Sequence, residues 1–324
     1  MKVISREDGA GPLAVMKPAA FEYVVANSIE QAIAALAQAG GEAKILAGGQ
    51  SLVPMLNFRL LRPAILVDIN RIPGLAFIED ADDAVKIGAL TRHHQIETSP
   101  VIAKHFPVLS YAMTHVAHLA IRNRGTIGGS LSHADPAAEL PMMAVLLGAK
   151  LHIVSRRGRR IVEAGDFFRA ALTVDLVEDE LLTEIHLPKL PPRAGWGFEE
   201  VARRAGDFAL AAVAATVTVS GVTMKEARIA LTGVGPTPVR ARKAEALLVA
   251  LDREGIYAAA GSSCSSGATD PSHVLAAMGV PREDALASIR LSLGFASKEE
   301  DVDRALTVIP AAVEGLREPI RVAR

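Results

Sequence analysis

Two stretches decide how this chain is read: ILAGGQSLVPMLNFRL at residues 45–60 and IRNRGTIGGSLSHADPAAELP at residues 121–141. In the first, a short apolar strand over 44–47 runs into Gly48-Gly49; in the second, Gly128-Gly129 is flanked by Thr126 and Ser130. Paired glycines carry no Cβ, so backbone N–H groups can converge on one anion. The hydroxyls of Ser51, Thr126 and Ser130 add donors. Ala47, Gly48, Gly49, Gln50 and Ser51 form one candidate cradle, and Thr126, Ile127, Gly128, Gly129 and Ser130 the other. Two such loops from distant parts of a chain suit the two phosphates of a dinucleotide. A tight turn is the plainer reading of either pair alone. Neither loop fits G-x-G-x-x-G, and neither is followed by Lys-Ser/Thr, so the Rossmann fingerprint and the P-loop are both excluded.

The rest of the sequence bounds the answer. Its 324 residues are 50% hydrophobic and 22% charged, which excludes a disordered chain. Aromatic residues are only 4%, so the core is aliphatic. A net charge of −1 leaves no basic excess for nucleic acid. The one cysteine, Cys264, excludes an intrachain disulfide and a zinc or iron–sulfur cluster held by this chain. Arg6, Glu7 and Asp8 interrupt any apolar run near the start, so residues 1–16 read as a flexible leader and not a secretion signal. The longest uncharged stretch, 208–224, carries Thr216, Thr218 and Ser220 and reads as a strand, not a membrane span. A cytoplasmic location is the expectation.

Residues 28–39 have helical spacing, with Ser28 as cap and Gly40-Gly41 as stop. Strands are predicted at 64–69, 84–87 and 150–154, an apolar helix at 140–147, and two helices within 101–119 divided near Pro107. RRGRR at 156–160 reads as a hairpin turn with a charged rim or as a basic binding patch. Pro188, Pro191 and Pro192 place a domain boundary at 187–192. Three strands follow at 197–202, 210–219 and 226–232, then helices at 241–251 and 298–317. The organisation predicted is a leader at 1–16, an N-terminal subdomain at 17–63, a second at 64–186, a C-terminal domain at 187–244 and a tail at 245–324. His115 and His118, three apart on a predicted helix, have metal-ligand spacing, but no third ligand accompanies them and no metal is assigned.

With both glycine loops in order and their flanks matching, residues 17–245 resemble the FAD-binding medium subunit of the molybdenum hydroxylases, the carbon monoxide dehydrogenase type above all, with xanthine dehydrogenase in the wider family. The resemblance implies an α+β fold: a two-subdomain FAD-binding (PCMH-type) fold, a three-stranded antiparallel sheet domain and a mixed α/β tail. It implies that residues 47–51 and 126–130 hold the FAD pyrophosphate, with Ser130 where the family usually has Asn. Glu139 takes the place of an acid that bonds ribityl or ribose hydroxyls; Asp135 is a second acid four residues earlier, at a helical spacing that can put both on one face. RRAGDFALAAVAA (203–215) resembles the segment lying over the isoalloxazine, with Phe208 where close relatives carry Tyr. The plainer readings are a helix-dipole acid for Glu139 and a core residue for Phe208. The implied activity is that of an oxidoreductase subunit. It passes electrons from the [2Fe-2S] clusters of a small partner subunit through FAD to an external acceptor, while a molybdenum-cofactor large subunit hydroxylates the substrate. No general base is assigned to this chain.

The tail resembles the end of a cysteine desulfurase. In that comparison Cys264, in the flexible loop GSSCSSG (261–267), sits where a persulfide is carried, and Arg290, in SIRLSLG, where the substrate carboxylate is held. No segment resembles the pyridoxal-phosphate lysine motif of those enzymes. Three readings of the tail stay open: an inert fusion remnant, a scaffold packed on the flavin chain, or a sulfur carrier acting through Cys264.

Overall fold

The structure is a computed structural model that describes residues 17–256, 259–260, 273–286, 289–290 and 297–316. It forms two compact units: Met1–Thr216 with Ala230–Arg240, and Val217–Ile229 with Ala241–Arg324. The expected leader lies outside the described residues.

The first unit opens with a parallel three-stranded sheet. β1 (Glu22–Val25), β2 (Ala43–Leu46) and β3 (Ile65–Asp68) are ordered β1-β3-β2, with β3 paired in parallel to both neighbours. The crossover between β1 and β2 is the helix Ile29–Ala39. Ser28 caps it by accepting from the Gln31 amide at 3.2 Å, and Gly40 closes it in the left-handed region. Ala32, Ile33 and Leu36 recur at helical spacing and pack with Val67 of β3 in a small core. The central strand of this sheet, β3, lies at Ile65–Asp68.

The second sheet has five strands: β4 (Ile78–Asp80), β5 (Ala84–Gly88), β6 (Lys150–Ser155), β7 (Gly158–Glu163) and, after the small hairpin of β8 (Phe168–Ala170) and β9 (Thr173–Val174), β10 (Leu181–Pro188). The order is β4-β5-β10-β6-β7. Leu151 and Ile153 of β6, and Ile185 and Leu187 of β10, alternate onto a face covered by the helix Glu139–Leu147, which is buried along its whole length. Two helices, Pro100–His105 and Pro107–Ala112, divide where the sequence predicts, but the second ends at Ala112. RRGRR is a hairpin turn between β6 and β7. Two of its four arginines are committed to ion pairs: Arg157 with Asp179 at 2.9 Å, and Arg160 with Asp175 at 2.7 Å and Glu180 at 2.6 Å.

The third sheet is ordered β11 (Gly195–Ala202), β12 (Ala209–Ser220), β13 (Thr223–Thr232) and β14 (Val239–Arg240). The expectation of three strands is corrected by β14. It is only two residues long, too short to show alternation, and pairs antiparallel with Ala230 and Leu231. In the second unit, the helix Arg242–Arg253 packs beside the helix Glu299–Gly315, with Arg304 3.3 Å from Glu254. It also receives two hydrogen bonds from the backbone of β13: Met224 N to Asp252 Oδ2 at 2.6 Å and Ile229 N to Glu245 Oε1 at 2.7 Å.

Glu180 is nearly buried and accepts from Arg157, Arg160 and the Val177 amide. Glu180→Ala is therefore expected to cost about 2 kcal/mol in a denaturant titration. That is below the cost of breaking a fully buried pair, because both arginines keep access to water.

Candidate functional site

β2 delivers Ala47 to the edge of the first sheet, where the chain turns sharply. Gly49 has a φ of 73° and Ser51 is right-handed helical. The amides of Gly48, Gly49, Gln50 and Ser51 donate to no acceptor among the described residues. The Gln50 side chain folds back and donates to the Gly48 carbonyl at 2.9 Å. Ser51 precedes the helix Leu52–Asn57 without capping it, so its hydroxyl is not spent on the helix. Consecutive N–H groups arranged through left- and right-handed residues make a concave anion nest.

The second loop is built differently. Thr126 pairs as an antiparallel bridge with Arg92 and caps the helix Ile127–His133, accepting from the Gly129 amide at 3.1 Å. Ile127 N donates to Thr91 O at 3.1 Å, Gly128 N to Ala89 O at 2.9 Å and Ser130 N to Thr126 O at 3.0 Å. The amides of residues 127–130 are all bonded within the chain. The glycines of this loop serve close packing. A Cβ on Gly128 would lie 2.6 Å from the Cβ of Ala89.

The two loops meet. A Cβ on Gly48 would lie 2.3 Å from the Arg124 carbonyl oxygen, so only glycine fits there. Two residues that the sequence reading did not single out fasten the junction. Arg92 donates to the Arg124 carbonyl and, at 2.8 Å, to Asn70 Oδ1, while Asn70 Nδ2 donates to the Ala47 carbonyl at 2.8 Å. The one available signal was an Asn just beyond a strand end, a position where its amide commonly bonds nearby backbone. His93, next to Arg92, is buried under this loop, and neither ring nitrogen has a partner among the described residues. Burial pushes its pKa down to about 4, so the ring is neutral.

Glu139 opens its helix with only 5% of its surface exposed. Burial pushes its pKa up to about 7, and the carboxylates of Glu200 and Asp135 add to the effect. Asp135 does not share its helical face, which corrects the sequence reading. Ala134 turns left-handed with φ 51° and ends the preceding helix, and Asp135 accepts from Ala137 N at 2.9 Å in a turn. Thr232 Oγ1 and Gly233 N both donate to the Pro136 carbonyl, at 2.7 and 2.9 Å, and fix that turn.

His115 and His118 also do not share a helix, because Ala117 is left-handed between them. His115 lies 3.7 Å from Glu200 and packs on Tyr111 and Phe198. Phe208 is 63% exposed, which removes the core reading. Cys264 lies outside the described residues, as does the side chain of Arg290.

Comparison with known proteins gives this geometry its context. Residues 19–190 match the family described as the FAD binding domain in molybdopterin dehydrogenase. Residues 196–280 match the CO dehydrogenase flavoprotein C-terminal domain, a match that runs past residue 244. The chain belongs to this flavoprotein family. It is an FAD-binding subunit of oxidoreductase complexes of the carbon monoxide and xanthine dehydrogenase type. It is 47% identical over 235 residues to the 6-hydroxypseudooxynicotine dehydrogenase complex subunit alpha of Paenarthrobacter nicotinovorans, covering 72% of this chain and 79% of that one. It is 38% identical over 247 residues to the carbon monoxide dehydrogenase medium chain of Hydrogenophaga pseudoflava, covering 76% and 86%. The solved quinoline 2-oxidoreductase of Pseudomonas putida 86 aligns with a TM-score of 0.69 and 35% identity, over 93% of this chain and 99% of that one. No described helix is long and apolar enough to cross a membrane.

The open amides at 48–51, set against a second loop with which they are in van der Waals contact, fit the anionic part of the family's cofactor. Glu139 supplies a pH signature. Its proton is held more tightly in the folded chain than in the unfolded one. The resulting stability is complete below about pH 4.5 and lost as pH rises through 7. Denaturation of the FAD-free chain is expected to show a fall on the order of 3 kcal/mol across that window, flattened in Glu139→Gln. An equal fall in the variant would remove Glu139 as its source.

Proposed function

We propose that this chain holds FAD by its pyrophosphate in the nest at residues 48–51 and places it between an iron–sulfur partner subunit and an external electron acceptor. The nest of open amides is the observation that carries this reading. Four successive donors without an internal acceptor among the described residues are a nest that a diphosphate satisfies. The Ser51 hydroxyl adds a donor from the first loop. The Thr126 and Ser130 hydroxyls offer donors from the second, whose amides are spent. Glu139, poised near neutrality, is able to accept or donate a hydrogen bond to a ribityl or ribose hydroxyl. Phe208, exposed at the start of β12, covers the ring system.

FAD supplies a carrier that accepts an electron pair and releases it singly or together. The chain's own residues bind and orient it and shield one face of the ring. The molybdenum-cofactor large subunit and the [2Fe-2S] small subunit belong to this proposal as partners, by analogy with the medium chains it resembles.

A second reading concerns the tail. Asp252 and Glu245 accept hydrogen bonds from the backbone of β13. The family match that reaches residue 280 and the structural alignment over 93% of the chain also extend into this region. These observations favour a scaffold role for residues beyond 244 over an inert remnant. A sulfur carrier acting through Cys264 remains the alternative function. Alkylating Cys264 would abolish persulfide transfer if that alternative held, and would leave FAD retention unchanged.

Purified chain incubated with FAD and desalted is expected to keep about one FAD per chain, read from the flavin absorption bands. Ser51→Ala should weaken FAD binding roughly tenfold at an unchanged melting temperature, the size of one charge-assisted hydrogen bond. Gly128→Val should abolish retention by forcing the second loop away from Ala89. Full affinity in both variants would refute the loop assignment. Electron delivery is checked by mixing the flavin-loaded chain with a reduced [2Fe-2S] small subunit: the flavin band should bleach, and no bleaching would refute the proposed route.

A further inference from the structure

On the sheet face opposite the main core, β6 and β10 bring together three side chains that the flavin site does not use. His152, Glu184 and His186 each offer one ligating atom within 4.8 Å of the other two. Their arrangement depends on an irregularity in β10. The register shifts between Leu182 and Glu184, so that Leu182 faces Ile153 while Glu184 faces His152. In an unbroken ladder Thr183 would oppose His152 and Glu184 would oppose Leu151, a core position. The extra residue turns the carboxylate to the outer face, as bulges commonly do where a side chain must be re-aimed. Thr183 Oγ1 donates to the His152 carbonyl at 3.1 Å and locks the bulge in place.

His186 follows two residues after Glu184 on the same face, with its Nε2 2.9 Å from Glu184 Oε2. The imidazoles of His152 and His186 stack with centroids 3.7 Å apart. Two cationic rings would repel at that distance, so the arrangement favours at least one neutral imidazole with a lone pair to offer. All three residues are half-buried, which leaves one side open to solvent. Two lysines flank His186 in the ladder: Lys86 on β5, held at 3.0 Å by Glu79, and Lys150 on β6.

We propose that His152, Glu184 and His186 form a binding site for one divalent transition-metal ion of the imidazole-preferring class, with zinc as the representative ion and water completing its shell. Two imidazole nitrogens and one carboxylate are a known zinc donor set. Ligand atoms of a tetrahedral zinc site lie about 3.4 Å apart, so side-chain rotations of about an ångström close this one around an ion. The single cysteine of the chain bears only on thiolate clusters, not on a site of this kind. Binding here joins β6 to β10 across the bulge, so the bound ion also stabilises the central strands of the second sheet.

The test uses the full chain, stripped with a chelator and carrying the same FAD content in every sample. Calorimetric titration with zinc chloride is expected to show one site per chain. His152→Asn and His186→Asn should each weaken it at least tenfold, and Glu184→Gln likewise. His105→Asn, a histidine paired with Asp80 on a different part of the surface, should leave it unchanged. Zinc should raise the melting temperature of the unaltered chain and leave that of a variant carrying both His152→Asn and His186→Asn where it was. Absence of stoichiometric zinc binding, or equal affinity in the His152 and His186 variants, would overturn the proposal. Should those variants not fold, copper(II) bound to the unaltered chain decides the matter. Its magnetic resonance spectrum should show coupling to two nitrogens, and a spectrum without nitrogen coupling would overturn the proposal.

Discussion

The contact of Gly48 with the Arg124 carbonyl is the constraint on which the proposed flavin site depends. It lets two loops, one from the parallel three-stranded sheet and one from the segment that packs on β5, share a boundary with no side chain between them. Everything around it is arranged to hold that approach. Asn70 fixes the Ala47 carbonyl, Arg92 spans from Asn70 to Arg124, and Thr126 docks its helix on residues 89–91. The second loop spends its amides on this docking. The first keeps its amides open. In the proposed reading, one loop is a wall and the other is a binding surface.

The electrostatics of the surrounding groups follow from burial more than from pairing. His93 is kept neutral beneath the second loop, and Glu139 is held near neutrality at the start of an apolar helix. Charged networks such as Arg160 with Glu180 and Asp175 lie away from the loops, on the β6–β7 hairpin, where they serve the fold.

Much of this was legible in the sequence, and the reasons are specific. Ser28 and Gly40-Gly41 bracketed a helix because capping and left-handed closure need those residue types. The helix Glu139–Leu147 was legible because the eight positions from Leu140 to Leu147 carry no charged or strongly polar side chain. The glycine loops pointed to a dinucleotide, and the family follows from them. What was missed has equally specific causes. β10 was overlooked because the bulge at Thr183 breaks the alternation that reveals a strand, and Pro188 at its end suggested a boundary. β14 is too short to carry a pattern. The different roles of the two loops could not be read, because Gly-Gly flanked by hydroxyls looks the same whether its amides are open or spent. Asp135 and Glu139 have helical spacing, yet Ala134 ends the helix between them, and an alanine in the left-handed region leaves no mark in a sequence.

The central claim is that FAD is held by the amides at 48–51 and not by those at 127–130. Hydrogen exchange of individual amides, measured with and without FAD, tests it most directly. Gly48, Gly49, Gln50 and Ser51 should exchange fast in the free chain and become protected when FAD is added, while the amides of residues 127–130 should be protected in both states. Unchanged fast exchange at 48–51 under saturating FAD, or protection gained first at 127–130, would contradict the account.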